Sequence, residues 1–88
     1  MINYNFEYSK SFKKSLSKLD IQIQKQIKST VIKFITDSKA ADFTKLQGHE
    51  NLYRIRSGNY RILLEKYDNR LLILFVDVKH RREAYKDL

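Results

Sequence analysis

From Leu52 onward the chain is written in the period of a β-sheet. Leu52-Tyr-Arg-Ile-Arg56 alternates, Ser57-Gly-Asn59 interrupts, Tyr60–Tyr67 resumes, Asp68-Asn69 interrupts again, and Leu71–Val78 follows as an almost unbroken apolar run. Residues two apart in a strand share a face, so Arg54 and Arg56 fall on one side and Tyr53 and Ile55 on the other. Gly and Asn tolerate positive φ, which makes Ser57-Gly-Asn59 a tight turn. Asp68-Asn69 has the residues of a two-residue hairpin loop. Strands joined by such short connections are antiparallel neighbours. The expectation is a three-stranded meander with 71–78 as a central strand buried on both faces.

The first half carries different periods. Residues 2–8 place Ile2, Tyr4, Phe6 and Tyr8 on one side and Asn3, Asn5 and Glu7 on the other, a half-buried strand. Ser9 or Ser11 can then cap a helix whose apolar stripe is Phe12, Leu16 and Leu19. Asp20 caps a second, over about 21–36, with Ile23, Ile27, Val31, Phe34 and Ile35 at helical spacing. Residues 37–51 read as a polar loop with a candidate short strand near Phe43–Leu46, and 81–88 as a final helical turn or a tail. The fold class is α+β: an N-terminal strand, a two-helix hairpin, then the meander, in one sheet with the helices on one face. The 88 residues make a single domain, 1–88.

Charge narrows the partners. Eighteen Lys and Arg against ten Asp and Glu leave a net +8, which points to a polyanion or an acidic protein. The distribution says more than the sum. Lysines populate the helices, whereas no arginine precedes Arg54, and Arg56, Arg61, Arg70, Arg81 and Arg82 follow it. Guanidiniums on a sheet face suit phosphates. The chain has no cysteine, which excludes a disulfide framework and a thiolate metal site and fits a cytoplasmic setting. His49 and His80 have no companions at ligand spacing, so no metal or other cofactor is expected. No apolar run is long enough to span a bilayer, and the first residues lack the pattern of a signal peptide.

Four stretches, Lys45-Leu-Gln-Gly48, Leu52-Tyr-Arg-Ile-Arg56, Gly58-Asn-Tyr-Arg-Ile62 and Val78-Lys-His-Arg-Arg-Glu-Ala-Tyr85, together with the element order, resemble the RelE/ParE superfamily of toxins. The resemblance implies the toxin of a type II toxin–antitoxin pair. Its RelE-like branch enters the ribosomal A site and cuts mRNA by attack of a ribose 2′-OH on the adjacent phosphate. Its ParE-like branch inhibits DNA gyrase without nuclease chemistry. The RelE-like branch is favoured here, as a metal-independent, ribosome-dependent endoribonuclease. The implied partners are an acidic antitoxin that wraps the toxin, mRNA and rRNA, within a toxin–antitoxin complex that is oligomeric and binds operator DNA through the antitoxin.

The same resemblance sorts the site residues. Arg61 stands where the family keeps a phosphate-binding arginine; the alternative is an exposed arginine paired with Glu65. Arg54 and Arg56 match positions that RelE fills with lysines. Being arginines they hold their protons, and so would position substrate or dock an acidic antitoxin. Arg81 is implied as a second transition-state cation, with Arg82 as its alternate. Tyr85 matches a C-terminal tyrosine that stacks on a base or assists proton transfer; the alternative is an aromatic covering the sheet edge. Histidine ordinarily changes charge near neutral pH, so His80 is the acid or base if it faces the arginines; the alternative is a structural histidine.

Overall fold

The computed structural model describes residues 3–83. In chain order they form β1 (Asn5–Tyr8), α1 (Lys10–Ser17), α2 (Ile21–Thr36), β2 (Asp42–Lys45), β3 (Leu52–Ser57), β4 (Tyr60–Tyr67) and β5 (Leu72–His80), with short 3₁₀ turns at Ser38–Ala40 and Asp68–Arg70. The sheet order is β1-β5-β4-β3-β2. β1 runs parallel to β5, and every other neighbouring pair is antiparallel. The α+β class, the two helices and the meander are as expected. The candidate strand in the 37–51 loop is real and adds a fifth strand at the β3 edge.

Capping sets both helix starts. The Ser9 hydroxyl accepts from Phe12 N at 3.0 Å and donates to Val76 O at 2.6 Å, so it caps α1 and ties it to β5. The Asp20 carboxylate accepts from Gln22 N. Phe12, Ile27, Val31 and Phe34 then meet Ile55, Ile62, Leu64, Ile73, Phe75 and Val78 of the sheet in one core. Phe34, Phe75 and the five fully buried aliphatics Ile27, Ile55, Ile62, Leu64 and Ile73 are its bulk. Truncating one such Phe to Ala costs about 3–5 kcal/mol. Neither helix is long and apolar enough to cross a membrane.

Two departures from the expectation concern β5. Its lead-in is no two-residue loop: Asp68–Arg70 is a 3₁₀ turn closed by Leu71, whose φ of 48° is left-handed, so the strand starts at Leu72. The strand is also less buried than an apolar run implies. β1 covers its edge only over Leu72–Phe75, and Val76, Asp77, Lys79 and His80 are half-exposed. Pairing with β4 steps from Leu64↔Phe75 to Leu63↔Asp77, leaving Val76 as a bulge. A bulge inserts one residue and reverses the alternation beyond it. Phe75 faces the core; strict alternation would turn Asp77 and Lys79 the same way, yet it is Val78 that is buried there.

Candidate phosphate-binding face

The sheet face turned away from the helices carries a row of charges in register. Asp42 pairs with Arg56, Arg56 with Arg61, and Arg61 with Lys79, across four adjacent strands. Like charges placed directly opposite cost stability. The one carboxylate in the row, Asp42, sits at its end, 3.4 Å from Arg56 Nε. The next row holds Arg54 opposite the buried Leu63. An apolar floor beside guanidiniums lowers the local dielectric and strengthens their pull on an anion.

Arg61 is the centre of the row and only 8% exposed. It is not the exposed partner of Glu65 that its strand position allows. Its Nη1 donates to Gly58 O and Tyr60 O, both at 2.9 Å. Its Nε is buried with no hydrogen-bond partner among the described residues. A buried N–H without an acceptor is costly.

The β3–β4 turn holds that guanidinium in place, and α2 holds the turn. Gln26 Nε2 donates to Ser57 O at 2.9 Å, and the Thr30 and buried Ser57 hydroxyls are 2.7 Å apart. Gly58 has φ +58°, and a Cβ there would lie 2.7 Å from Gln26 Nε2. On the other side of the turn, Arg81 N donates to Asn59 O at 2.7 Å. The turn thus brings the Arg81 backbone beside the carbonyls that hold Arg61.

The sequence-derived residues divide as follows. Arg54, Arg56 and Arg61 share one face, as alternation requires. Arg81 and Arg82 are exposed in the turn 81–83. Tyr85 lies outside the described residues. His80 is not among the arginines. It pairs with Tyr60, and the two rings meet edge to face at 5.3 Å on the helix side of the sheet. The acid–base role that required it to face the arginines is therefore withdrawn, and the Val76 bulge is the physical reason. The same bulge delivers Lys79 to the arginine face, a residue the sequence reading left out. Its signal was present only in the strand pairing, not in the spacing along the chain.

Known proteins share this fold. Residues 6–85 match the family described as the ParE toxin of the type II toxin–antitoxin system parDE. Toxin RelE3 of Methanocaldococcus jannaschii is 37% identical over 83 residues, covering 89% of this chain and 91% of its own. The RelB–RelE antitoxin–toxin complex from Methanococcus jannaschii contains a chain similar at TM-score 0.76 and 31% identity, covering 93% of this chain and 98% of that one. The archaeal RelE–RelB complex from Pyrococcus horikoshii OT3 shares the fold at TM-score 0.74 and 23% identity, covering 93% and 99%.

Proposed function

The chain belongs to the ParE toxin family of type II toxin–antitoxin systems and is RelE-like, and from that premise we propose that it is an endoribonuclease that cuts mRNA in the ribosomal A site. The observation that carries this reading is the Arg61 guanidinium, held on its own turn by Gly58 O and Tyr60 O and in register between Arg56 and Lys79 on the sheet face away from the helices.

The reaction is displacement at phosphorus. The ribose 2′-hydroxyl gives up its proton to solvent water, and its oxygen forms a bond to the adjacent phosphorus as the bond to the 5′ oxygen of the next nucleotide breaks. A 2′,3′-cyclic phosphate and a 5′-OH end result. Charge builds on the non-bridging oxygens, where a preorganised cation acts most strongly. Arg61 supplies that cation and Arg81 the second, both anchored at the β3–β4 turn. Arg54 and Arg56 neutralise the neighbouring backbone, and exposed Arg82 extends the basic surface beyond β5. Guanidiniums keep their protons, so the arginines do not move them. Of the cations in the row the Lys79 ammonium is the one that can give up a proton, and its register beside Arg61 supports a role as donor to the departing 5′ oxygen. Tyr85 stacks on a substrate base in this reading.

The chain acts in the cytoplasm under control of an acidic antitoxin, in an oligomeric complex that reaches operator DNA through that antitoxin. An apolar groove between α1 and α2, lined by Phe12, Leu16, Ile27, Val31 and the exposed Ile32, with Lys13 and Lys28 at its rim, suits an acidic amphipathic segment. The reading is tested by expressing Arg61→Ala. Loss of one such donor lowers the rate by about 10²–10³-fold, so growth arrest should disappear while antitoxin binding persists. Undiminished growth arrest by a folded Arg61→Ala protein would remove Arg61 from the mechanism.

A further inference from the structure

We propose that a cleft on the opposite side of β5 from the arginines is a nucleobase pocket, read by His80, which takes a base beside the cut phosphate and sets the sequence preference of cleavage. The inference rests on the reading of this chain as a nuclease but draws on different residues.

The cleft follows from the sheet's construction. β1 stops pairing at Phe75, so beyond that point the edge of β5 faces α1 instead of a strand. Ser9 ties the start of α1 to Val76 O, and Ser15 ties its middle to the Asp77 carboxylate at 2.6 Å. Past those ties a cleft of about 350 Å³ opens, lined by Lys18, Leu19, Tyr60, Asp77, Lys79 and His80 among others. That volume lies at the lower end of the ~300–1,000 Å³ of ligand sites.

Its chemistry suits a base. The edge-to-face Tyr60–His80 pair offers aromatic surface, and Leu19 adds an apolar wall. Single-stranded RNA is read by such stacking combined with hydrogen bonds to base edges. His80 Nδ1 accepts from Arg82 N at 3.2 Å, which leaves Nε2 as the hydrogen-bearing donor. The Asp77 carboxylate is already occupied by the Ser11 and Ser15 hydroxyls and by Val78 N. Asp77 and Glu83 on the wall also disfavour an acidic peptide as the occupant. Lys79 belongs to both places: it borders the cleft and stands in register with Arg61. An RNA strand crossing the end of β5 can thus rest a phosphate on the arginine row and a neighbouring base in the cleft.

The test has two arms. In the first, the free protein is titrated with AMP, GMP, CMP and UMP while the His80 imidazole and the Leu19 and Tyr60 resonances are followed by NMR. The proposal requires shifts at these residues that differ among the four bases and vanish in His80→Ala. Shifts confined to the arginine face, or none, overturn it. In the second, cut sites on programmed ribosomes are compared for wild type and His80→Ala. One lost base-edge contact should flatten the codon preference by about tenfold while cutting continues. An unchanged distribution from a folded variant overturns the proposal. If wild type does not cut at all, the nuclease reading fails, and the nucleotide titration still decides the cleft.

Discussion

At the scale of single residues, the account turns on how a buried guanidinium is held. Two carbonyls of the β3–β4 turn take one nitrogen of Arg61, and Gln26 and Thr30 of α2 fix the turn through Ser57. Gly58 is the residue that lets the turn sit this close to Gln26. Gly58→Ala should therefore cost about 1–2 kcal/mol for the left-handed backbone alone, plus displacement of the Gln26 amide. Thermal unfolding should report the lower stability, and cleavage should fall further than stability explains because Arg61 moves with the turn. A variant as stable and active as the parent would contradict this account of the turn. Arg61 was legible in the sequence as a candidate, because the word around it resembles a family. Its burial was not, because nothing in the spacing shows that the guanidinium folds back on its own turn.

At the scale of elements, the Val76 bulge decides which side chains meet. Alternation located Arg54, Arg56, Tyr53 and Ile55 correctly, since β3 pairs without interruption. It failed for His80 and Lys79 because one extra residue reverses parity, and that residue is set by tertiary contacts. The parallel pairing of β1 with β5 was hidden for a similar reason: a long connection through two helices leaves strand direction open. The contacts around the bulge are polar and lie on α1. Asp77 accepts from Ser11, Ser15 and Val78 N, so Asp77→Ala leaves those donors without their acceptor. The expected cost is about 1–3 kcal/mol, with faster amide hydrogen exchange concentrated in α1. Exchange accelerated equally throughout the sheet would show that Asp77 does not act as a local tie.

At the scale of the whole molecule, a second polar cluster closes the far end of the sheet. Tyr4 OH and Lys66 Nζ both donate to the Asp68 carboxylate, and the Lys66 ammonium lies over the Tyr4 and Tyr53 rings. The hydrogen bonds from Lys66 and Tyr4 hold the Asp68 carboxyl below its usual range. The bond to Asp68 raises both Tyr4 and Lys66. A lowered carboxyl stabilises the fold above its unfolded pKa of about 3.9, and that contribution is lost as pH falls through the folded value. Raised Tyr and Lys groups stabilise below about 10, and their contribution is lost as pH climbs through their folded values. Asp68→Asn should therefore unfold at a lower temperature than the parent at pH 7, with the gap closing in strong acid. A gap that persists unchanged at acid pH would detach Asp68 from this linkage. The architecture was largely readable from the sequence, because helix caps, turn glycines and strand period agree with one another.

The central claim is that the arginine face cuts RNA in the ribosome. The most direct measurement incubates the purified protein with programmed ribosomes and maps mRNA 5′ ends, alongside ribosome-free and Arg61→Ala controls. The account predicts cuts at A-site codons, with 5′-OH ends, only when ribosomes and Arg61 are both present. Intact mRNA after incubation with a folded protein whose expression still arrests growth would contradict it, and would make the arginine face a binding surface for a different target.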